Sequence, residues 1–427
     1  MPKVTIILTC YNKPETVGKA IESVINQTFQ DWELLIMNDN SNLKTTKIIK
    51  SYLNDQRIHY YNSEIKDGDR YKTTRYATLI NEAISLSTGK YLSYLTDDSE
   101  YLPERLEVMS EYLDTHPDIH IVYSKQITRK LNENHTLIFQ STRQTKGVLR
   151  KAANLVDHCS VMHTRKAMEV VKEKYNNYWD DDPKHWHNAD AVAWARLNEF
   201  YLFHPLEKTL DISYKTPYSF QTLNLYIPEK IPDGVIIKGL SPDVYLVDKQ
   251  KRRKITEGMF DKLKYKKGKI IKIPDPFVFK YPLGSPIDDT ILKNGKIPNQ
   301  LLIKSSNSPN IYYIQNGKKR MIVNAQAMKR YHFKHSDIVL LDPVVIQRLP
   351  DGPPLGMKIM SHTKLPDGAL FTCKGKFYIS ENNCLYPIYY KCINRLKYSM
   401  NDIVKLHQHE LDYFKQGPLI TWNHLKK

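Results

Sequence analysis

At 427 residues the chain exceeds the size at which a single hydrophobic core stops growing, so two or more domains are expected. Hydrophobic residues make up 41% of it, and no run approaches the ~18 consecutive apolar residues of a membrane span, so no transmembrane segment is expected. The net charge of +17 lies in one half: residues 1–230 carry 29 Lys and Arg against 30 Asp and Glu, whereas residues 231–427 carry 34 against 16. A nearly neutral first half argues against a nucleic-acid-binding protein, and two surfaces so different point to different partners.

Met1-Pro2-Lys3 runs directly into Val4-Thr5-Ile6-Ile7-Leu8, too short for a signal-peptide core and without a small-residue cleavage site. Cytoplasmic residence is therefore expected, with or without attachment at the periphery of a membrane or surface assembly. That run is the first candidate strand; Trp32 to Asn38, Ile58 to Tyr61, Tyr91 to Leu95 and His120 to Tyr123 follow. Helical periodicity lies between them at Pro14 to Gln27, Leu43 to Tyr52, Lys72 to Ser87 and Pro103 to Thr115, with Pro14 and Pro103 placed where a first turn tolerates proline. Such alternation predicts an α/β fold with a Rossmann-like, mainly parallel sheet flanked by helices, whose ligands bind beyond the carboxyl ends of the strands. The five cysteines are scattered, odd in number and without a CxxC pair, so free buried thiols are expected rather than disulfides.

Beyond residue 230 three related stretches follow, which predict a β-rich α+β region of tandem repeats at about 231–290, 300–356 and 366–420. Each pairs a tyrosine-bearing strand with a second strand across a tight turn. Val244-Tyr245-Leu246-Val247 leads into Lys251-Arg252-Arg253-Lys254-Ile255, Ile311-Tyr312-Tyr313-Ile314 turns at Asn316-Gly317 into Lys318-Lys319-Arg320-Met321-Ile322, and Phe377-Tyr378-Ile379 turns at Asn382-Asn383 towards Tyr386-Pro387-Ile388. Ile255, Ile322 and Ile388 are spaced by 67 and 66 residues. The division expected is 1–225 for the first domain and 231–427 for the basic region.

Chemistry concentrates at the predicted strand ends. Thr96-Asp97-Asp98 places two carboxylates at the carboxyl edge of the sheet, where paired acids hold a hard divalent ion against a diphosphate. Thr9-Cys10-Tyr11-Asn12 follows the first strand and Asn38-Asp39-Asn40-Ser41 the second. Asp39 is suited to accept a pyrimidine imide N–H and Tyr11 to lie against the base, although a helix cap and a half-buried aromatic account for each taken singly.

Val4 to Lys13, Ser23 to Phe29, Asn38-Asp39-Asn40-Ser41-Asn42 and Thr96-Asp97-Asp98 together resemble the inverting family 2 glycosyltransferases of GT-A fold, closest to members acting in spore-coat polysaccharide biosynthesis. Thr74-Arg75-Tyr76-Ala77, Leu113 to Pro117 and Asp157 to His163 extend the resemblance over roughly residues 1–220. It implies a metal-dependent, inverting, hexosyltransferase-type enzyme using a UDP- or dTDP-linked sugar and Mn²⁺ or Mg²⁺. By position it implies that Thr9, Tyr11, Asp39 and Arg75 line the nucleotide pocket, that Asp97 approaches the ribose, that Asp98 ligates the metal, and that Asp190 is the catalytic base. Inversion demands a carboxylate on the acceptor side, since the hydroxyl attacks opposite the departing diphosphate and must lose its proton as the bond forms. The rival acids Asp180-Asp181-Asp182, with Pro183 next, read as a turn.

The QxxRW signature of processive synthases is absent, which points to one sugar transferred per encounter with a glycan or other hydroxyl acceptor. The basic repeats fall outside the resemblance. Their lysines and tyrosines suit an anionic polymer or a protein partner, and no nucleic acid is expected. The alternative is a catalytically inactive nucleotide-sugar-binding scaffold whose repeats do the recognition.

Overall fold

The computed structural model describes residues 1–422. The chain divides into two compact units, Met1–Thr222 and Leu223–Lys427. Among the described residues no helix is long and apolar enough to cross a membrane.

The first unit runs β1 (Val4–Cys10), α1 (Val17–Ile25), β2 (Trp32–Asn38), α2 (Leu43–Lys50), β3 (Ile58–Asn62), α3 (Arg75–Leu86), β4 (Tyr91–Thr96), β5 (Ser99–Tyr101), α4 (Arg105–Thr115), β6 (Ile121–Leu131), β7 (Leu137–Arg143), β8 (Val161–Thr164), α5 (Arg165–Tyr175), α6 (Ala189–Leu197) and β9 (His204–Lys215). These strands form one sheet in the order β3-β2-β1-β4-β8-β6-β9-β5, with β7 paired to β6. β3, β2, β1 and β4 are parallel, which gives the GT-A arrangement expected from the alternating strands and helices.

All seven residues of β1 and of β2 are buried, as strands covered on both faces must be. One apolar cluster takes Ile7, Leu35, Leu92 and Tyr94 with α3, α5 and α6; the other takes Ile6, Leu8, Leu34 and Ile36 with α1, α2 and α4. Register matters most here. Thr9 lies beside both Met37 and Thr96, and Cys10 beside Asn38, so β1, β2 and β4 end level and deliver Tyr11, Asp39 and Asp97 to one edge.

Three local expectations shift. Pro14 and Pro103 head turns that precede the helices, which start at Val17 and Arg105. The helix predicted at Lys72 to Ser87 starts only at Arg75, Lys72 instead ending a 3-10 segment, Asp67–Lys72. The break falls at Thr73 and Thr74, both extended, because the Thr74 N–H and hydroxyl donate to the carbonyls of Asp181 (2.7 Å) and Asp182 (2.6 Å). The short strand predicted at His120 to Tyr123 is the long β6, which turns back as β7.

The second unit contains three sheets, β12-β11-β10-β13, β16-β15-β14-β17 and β21-β18-β19-β20-β22. Their strands are β10 (Ile236–Lys238), β11 (Val244–Asp248), β12 (Lys251–Ile255), β13 (Ile270–Lys272), β14 (Leu302–Ser305), β15 (Ile311–Gln315), β16 (Lys318–Met321), β17 (Ile338–Leu341), β18 (Leu370–Cys373), β19 (Lys376–Glu381), β20 (Cys384–Pro387), β21 (Val404–Lys405) and β22 (Lys415–Gln416). In each sheet the first strand pairs antiparallel with the second and parallel with the strand that follows a short helix. The hairpin turns Lys249-Gln250, Asn316-Gly317 and Asn382-Asn383 all have two residues at positive φ, the geometry that matches strand twist. Lys249-Gln250 lacks the usual turn residues, and Asp233 compensates by accepting both backbone N–H groups at 2.8 and 2.9 Å.

Each of the unit's three apolar clusters draws on two sheets: the first with the second, the second with the third, and the third with the first. The sheets thus close on themselves, and none buries its apolar faces without both neighbours. Gly234, Gln300 and Gly368 occupy corresponding bends with φ of 89°, 64° and 77°. The Gln300 side chain fills the space left by both glycines, where a Cβ on Gly368 would stand 2.1 Å from its oxygen.

Candidate functional site

The turns after β1 and β2 are locked together before any ligand is considered. Asn12 and Asn40 take positive φ (54° and 52°), a conformation asparagine tolerates better than most residues. The Asn12 side-chain carbonyl accepts from Asn42 N–H (2.7 Å), and Asn12 N–H donates to the Ser41 hydroxyl (3.0 Å). Asn42, not Asp39, caps α2 by accepting from Thr45 N–H. Asp39 is free of that duty.

Asp39 is instead buried between two arginines. Arg70 donates to its Oδ2 (2.5 Å) and main-chain carbonyl (2.7 Å), and Arg75 to its Oδ1 (2.6 Å). The Arg70 guanidinium also lies over the Tyr11 ring, 4.2 Å from its centroid, a favourable cation–aromatic contact. Tyr11 N–H donates to Asp97 Oδ2 (2.7 Å), and Thr9 is buried one strand residue behind.

At the end of β4 both acids face Lys13. Its ammonium pairs with Asp98 Oδ2 and lies 3.4 Å from Asp97 Oδ1, while the Thr96 hydroxyl donates to Asp98 Oδ1 (2.9 Å). Burial raises the Asp97 carboxyl to about 6, more than Lys13 offsets. Asp98 is also opposed by burial, but Lys13, Lys215 and the Thr96 hydroxyl outweigh it and hold the group below the usual carboxylate range. Lys13 itself is raised, because the two acids overcome the cost of burying its charge. Two carboxylates already holding one cation are a donor set that suits a hard divalent ion.

Asp190 lies in the first turn of α6, whose cap is Asn188, so it is not the N-cap. α6 is anchored by Trp194, fully buried and donating from its ring N–H to the Val156 carbonyl (3.1 Å). Asp190 Oδ1 accepts from Ala191 N–H (2.9 Å), and Oδ2 lies 3.8 Å from His158 Nδ1. Burial opposes charge on His158, yet Cys159, Asp190 and Asp157 outweigh it and raise the imidazole well above its ordinary value. His158 Nε2 is buried without a hydrogen-bond partner among the described residues.

A circuit of contacts and chain neighbours joins the three predicted acids. From Asp39 it passes through Arg70, Tyr11, Asp97 and Lys13 to Asp98. From Asp98 it passes through the Thr96 hydroxyl to Cys159 Sγ (3.7 Å) and by His158 to Asp190. It returns through Tyr76, whose hydroxyl accepts from Ala189 N–H (2.8 Å), and its neighbour Arg75 on Asp39.

Thr9, Tyr11, Asp39, Arg75, Asp97, Asp98 and Asp190 therefore all lie on or beside this circuit. Arg70, Lys13, Tyr76, Thr96, His158 and Cys159 are the members to which the sequence reading assigned no role. Asp157, His158 and Cys159 also bring three ligand atoms within 4.8 Å of one another, but Arg143 (3.8 Å) and Lys215 (4.0 Å) already counter the Asp157 charge. Asp180, Asp181 and Asp182 serve structure: Asp180 pairs with Arg196 (2.6 Å), Asp181 accepts from the Thr78 hydroxyl (3.0 Å), and Asp182 caps the short turn Pro183–His185.

Residues 5–171 match the model of Glycosyl transferase family 2. The chain is 43% identical over 388 residues to Protein CgeD of Bacillus subtilis, a match covering 90% of this chain and 88% of that protein. The chain belongs to glycosyl transferase family 2. An uncharacterized glycosyltransferase of Methanocaldococcus jannaschii, MJ1057, is 31% identical over 223 residues, 51% of this chain and 71% of that one. Among solved structures, S. aureus TarS in complex with UDP is similar at 15% identity and a TM-score of 0.37, over 52% of this chain and 64% of that chain, a likeness too slight to bear on function. The CgeD match is longer than the first unit, so this family 2 chain shares much of its second unit with that relative as well.

Proposed function

We propose that the first unit transfers a hexose from a UDP- or dTDP-linked donor to an acceptor hydroxyl, with inversion, in cytoplasmic polysaccharide or surface-glycan biosynthesis. The circuit joining Asp39, Asp98 and Asp190 carries this reading. Asp39, fixed by Arg70 and Arg75, is oriented towards a pyrimidine, with Thr9 and Tyr11 beside it and Asp97 at the ribose. The acid pair fits Mn²⁺ or Mg²⁺, with Asp98 as ligand; such an ion, when bound, neutralises charge on the departing diphosphate. Asp190 takes the proton from the attacking hydroxyl, a contribution typically worth ~10²- to 10⁴-fold, and His158, 3.8 Å away, holds that carboxylate in place.

We read the second unit, three copies of one repeat, as the part that holds an anionic acceptor near the transferase, raising its local concentration. The contact of Lys13 with both acids favours a second reading: a nucleotide-sugar-binding scaffold whose acid pair is satisfied by its own lysine and does no chemistry.

The test is release of nucleoside diphosphate from UDP-glucose and dTDP-glucose in the presence of Mn²⁺. Asp190→Asn should keep donor binding and lose at least ~10²-fold of the release. Release unchanged in that variant contradicts the role given to Asp190; no release from the native chain with either donor favours the scaffold.

A further inference from the structure

The second unit contains a cavity of about 310 Å³ lined by residues of the first two sheets and by the segment after the helix Tyr390–Arg395. Its apolar wall includes Val235 and Ile236 beside the first sheet and Leu301 and Leu302 beside the second. Three chain corners complete it: Lys264-Tyr265, His332-Phe333 and Lys397-Tyr398. Each corner follows a short helix, Glu257–Lys262, Ala325–Arg330 or Tyr390–Arg395, and each opens with a residue in the left-handed region, φ 57°, 53° and 59°. Glycine fills such a helix-ending position at least cost. Here a lysine, a histidine and a lysine occupy it, each followed by an aromatic residue, so three equivalent bends bring two lysines, a histidine and three aromatic residues to one cavity.

The charge at this cavity is uneven. Five lysines line it, Lys264, Lys266, Lys269, Lys334 and Lys397, against one acid, Asp337. Lys266 pairs with Asp337 (2.7 Å) and Lys334 with Asp402 (2.9 Å). Lys264 and Lys269 donate to the main-chain carbonyls of Ser336 (3.1 Å) and Lys397 (2.6 Å), which fixes their positions and cancels none of their charge. Burial, with Lys334 and Lys266 nearby, lowers the Lys269 ammonium from its ordinary value. The Tyr265 hydroxyl is buried and has no hydrogen-bond partner among the described residues. A buried hydroxyl left unsatisfied is costly.

We infer that this cavity binds one acidic sugar residue, a hexose bearing a phosphate or a carboxylate, with its anionic group among the lysines and its ring against the aromatic corners. The volume is at the low end of small-ligand pockets, which suits a single sugar. A single-stranded nucleic acid needs an extended run of phosphate contacts and stacking platforms, which a compact cavity does not supply. The inference rests on the reading of the second unit as the acceptor-holding part, and it names the group recognised: the acidic unit of the acceptor glycan.

The full-length chain, without donor so that turnover plays no part, is titrated calorimetrically with glucose 6-phosphate, glucuronate, glucose, inorganic phosphate and UMP. The expected result is saturable binding of glucose 6-phosphate or glucuronate at one site per chain, weakened at least about tenfold in Lys264→Gln/Lys397→Gln through loss of charge-assisted hydrogen bonds. The single variant Lys397→Gln, at an exposed position, should weaken the same ligand as well, which keeps the test sound if the double variant folds poorly. The inference is overturned if neither acidic sugar binds, if glucose or phosphate alone binds as tightly, if both variants bind like the native chain, or if UMP displaces the sugar from this site. UDP binding measured on the same protein reports on the first unit, so failure of the cavity and failure of the transferase reading are told apart.

Discussion

Lys13→Met is the perturbation whose outcome depends most closely on the acid pair. Lys13 meets Asp98 and Asp97 with side-chain exposures of 24%, 16% and 8%, so the pair is largely withdrawn from water. Removing one partner of a buried ion pair costs about 3–5 kcal/mol, because a charge is left without its counter-ion. Here the loss is smaller, since Asp97 keeps the Tyr11 N–H, and Asp98 keeps the Thr96 hydroxyl and the field of Lys215. We expect about 2–3 kcal/mol, which for a unit of this size lowers the thermal midpoint by about 4–12 °C. Mn²⁺ should then restore more stability to the variant than it adds to the native chain, because the ammonium no longer competes for the carboxylates. Differential scanning fluorimetry with and without Mn²⁺ reads both effects. A variant as stable as the native chain, or one that gains no more from Mn²⁺ than the native chain does, refutes the assignment of these acids as a cation site.

His163 is fully buried; its Nε2 faces the Tyr94 hydroxyl and its Nδ1 the Thr164 carbonyl, and burial lowers its pKa from 6.5 to about 4. The unfolded chain therefore binds a proton that the folded chain refuses, so stability falls as the pH drops from 6.5 to about 4, by roughly 3 kcal/mol in all. Urea unfolding across that range should show the loss, and His163→Gln should flatten it. Gly368→Ala should cost about 1–2 kcal/mol through its positive φ alone, with a further loss from displacing Gln300; adding Gln300→Ala should recover only the second part, as read by thermal unfolding. Arg70→Lys gives up the planar fork on Asp39 and the stack on Tyr11, and should weaken UDP binding by about 1–2 kcal/mol in calorimetry, with stability losing a similar amount.

The strand ends were legible because β1, β2 and β4 are apolar runs that give way to Asn12, Asp39-Asn40 and Asp97-Asp98, residues disfavoured in strands. What local pattern does not carry is pairing across distance. Arg70 lies in Asp67-Gly68-Asp69-Arg70, which looks like a solvated turn, and only the fold brings it onto an aspartate 31 residues earlier. Lys13 sat inside a recognised motif, yet its partners are 84 and 85 residues away. His158 and Asp190 are likewise brought together by the packing of α6, with no spacing signal to announce it. The hairpin β6–β7 was missed because all seven residues of β7 are exposed, so no apolar alternation marks it. In the second unit the Asn316-Gly317 turn was legible from composition, whereas Lys249-Gln250 adopts the same geometry only because Asp233 holds its two N–H groups.

The most direct measurement is binding of UDP and dTDP to the native chain and to Asp98→Ala, each with and without Mn²⁺. One nucleotide should bind the native chain, more tightly with Mn²⁺, and a saturating ligand at about 100 times its Kd should add ~2.7 kcal/mol to the stability of the first unit. In Asp98→Ala the metal-dependent increment should vanish and the metal-free part remain. Binding of neither nucleotide, or an increment from Mn²⁺ that survives the loss of Asp98, would contradict the account.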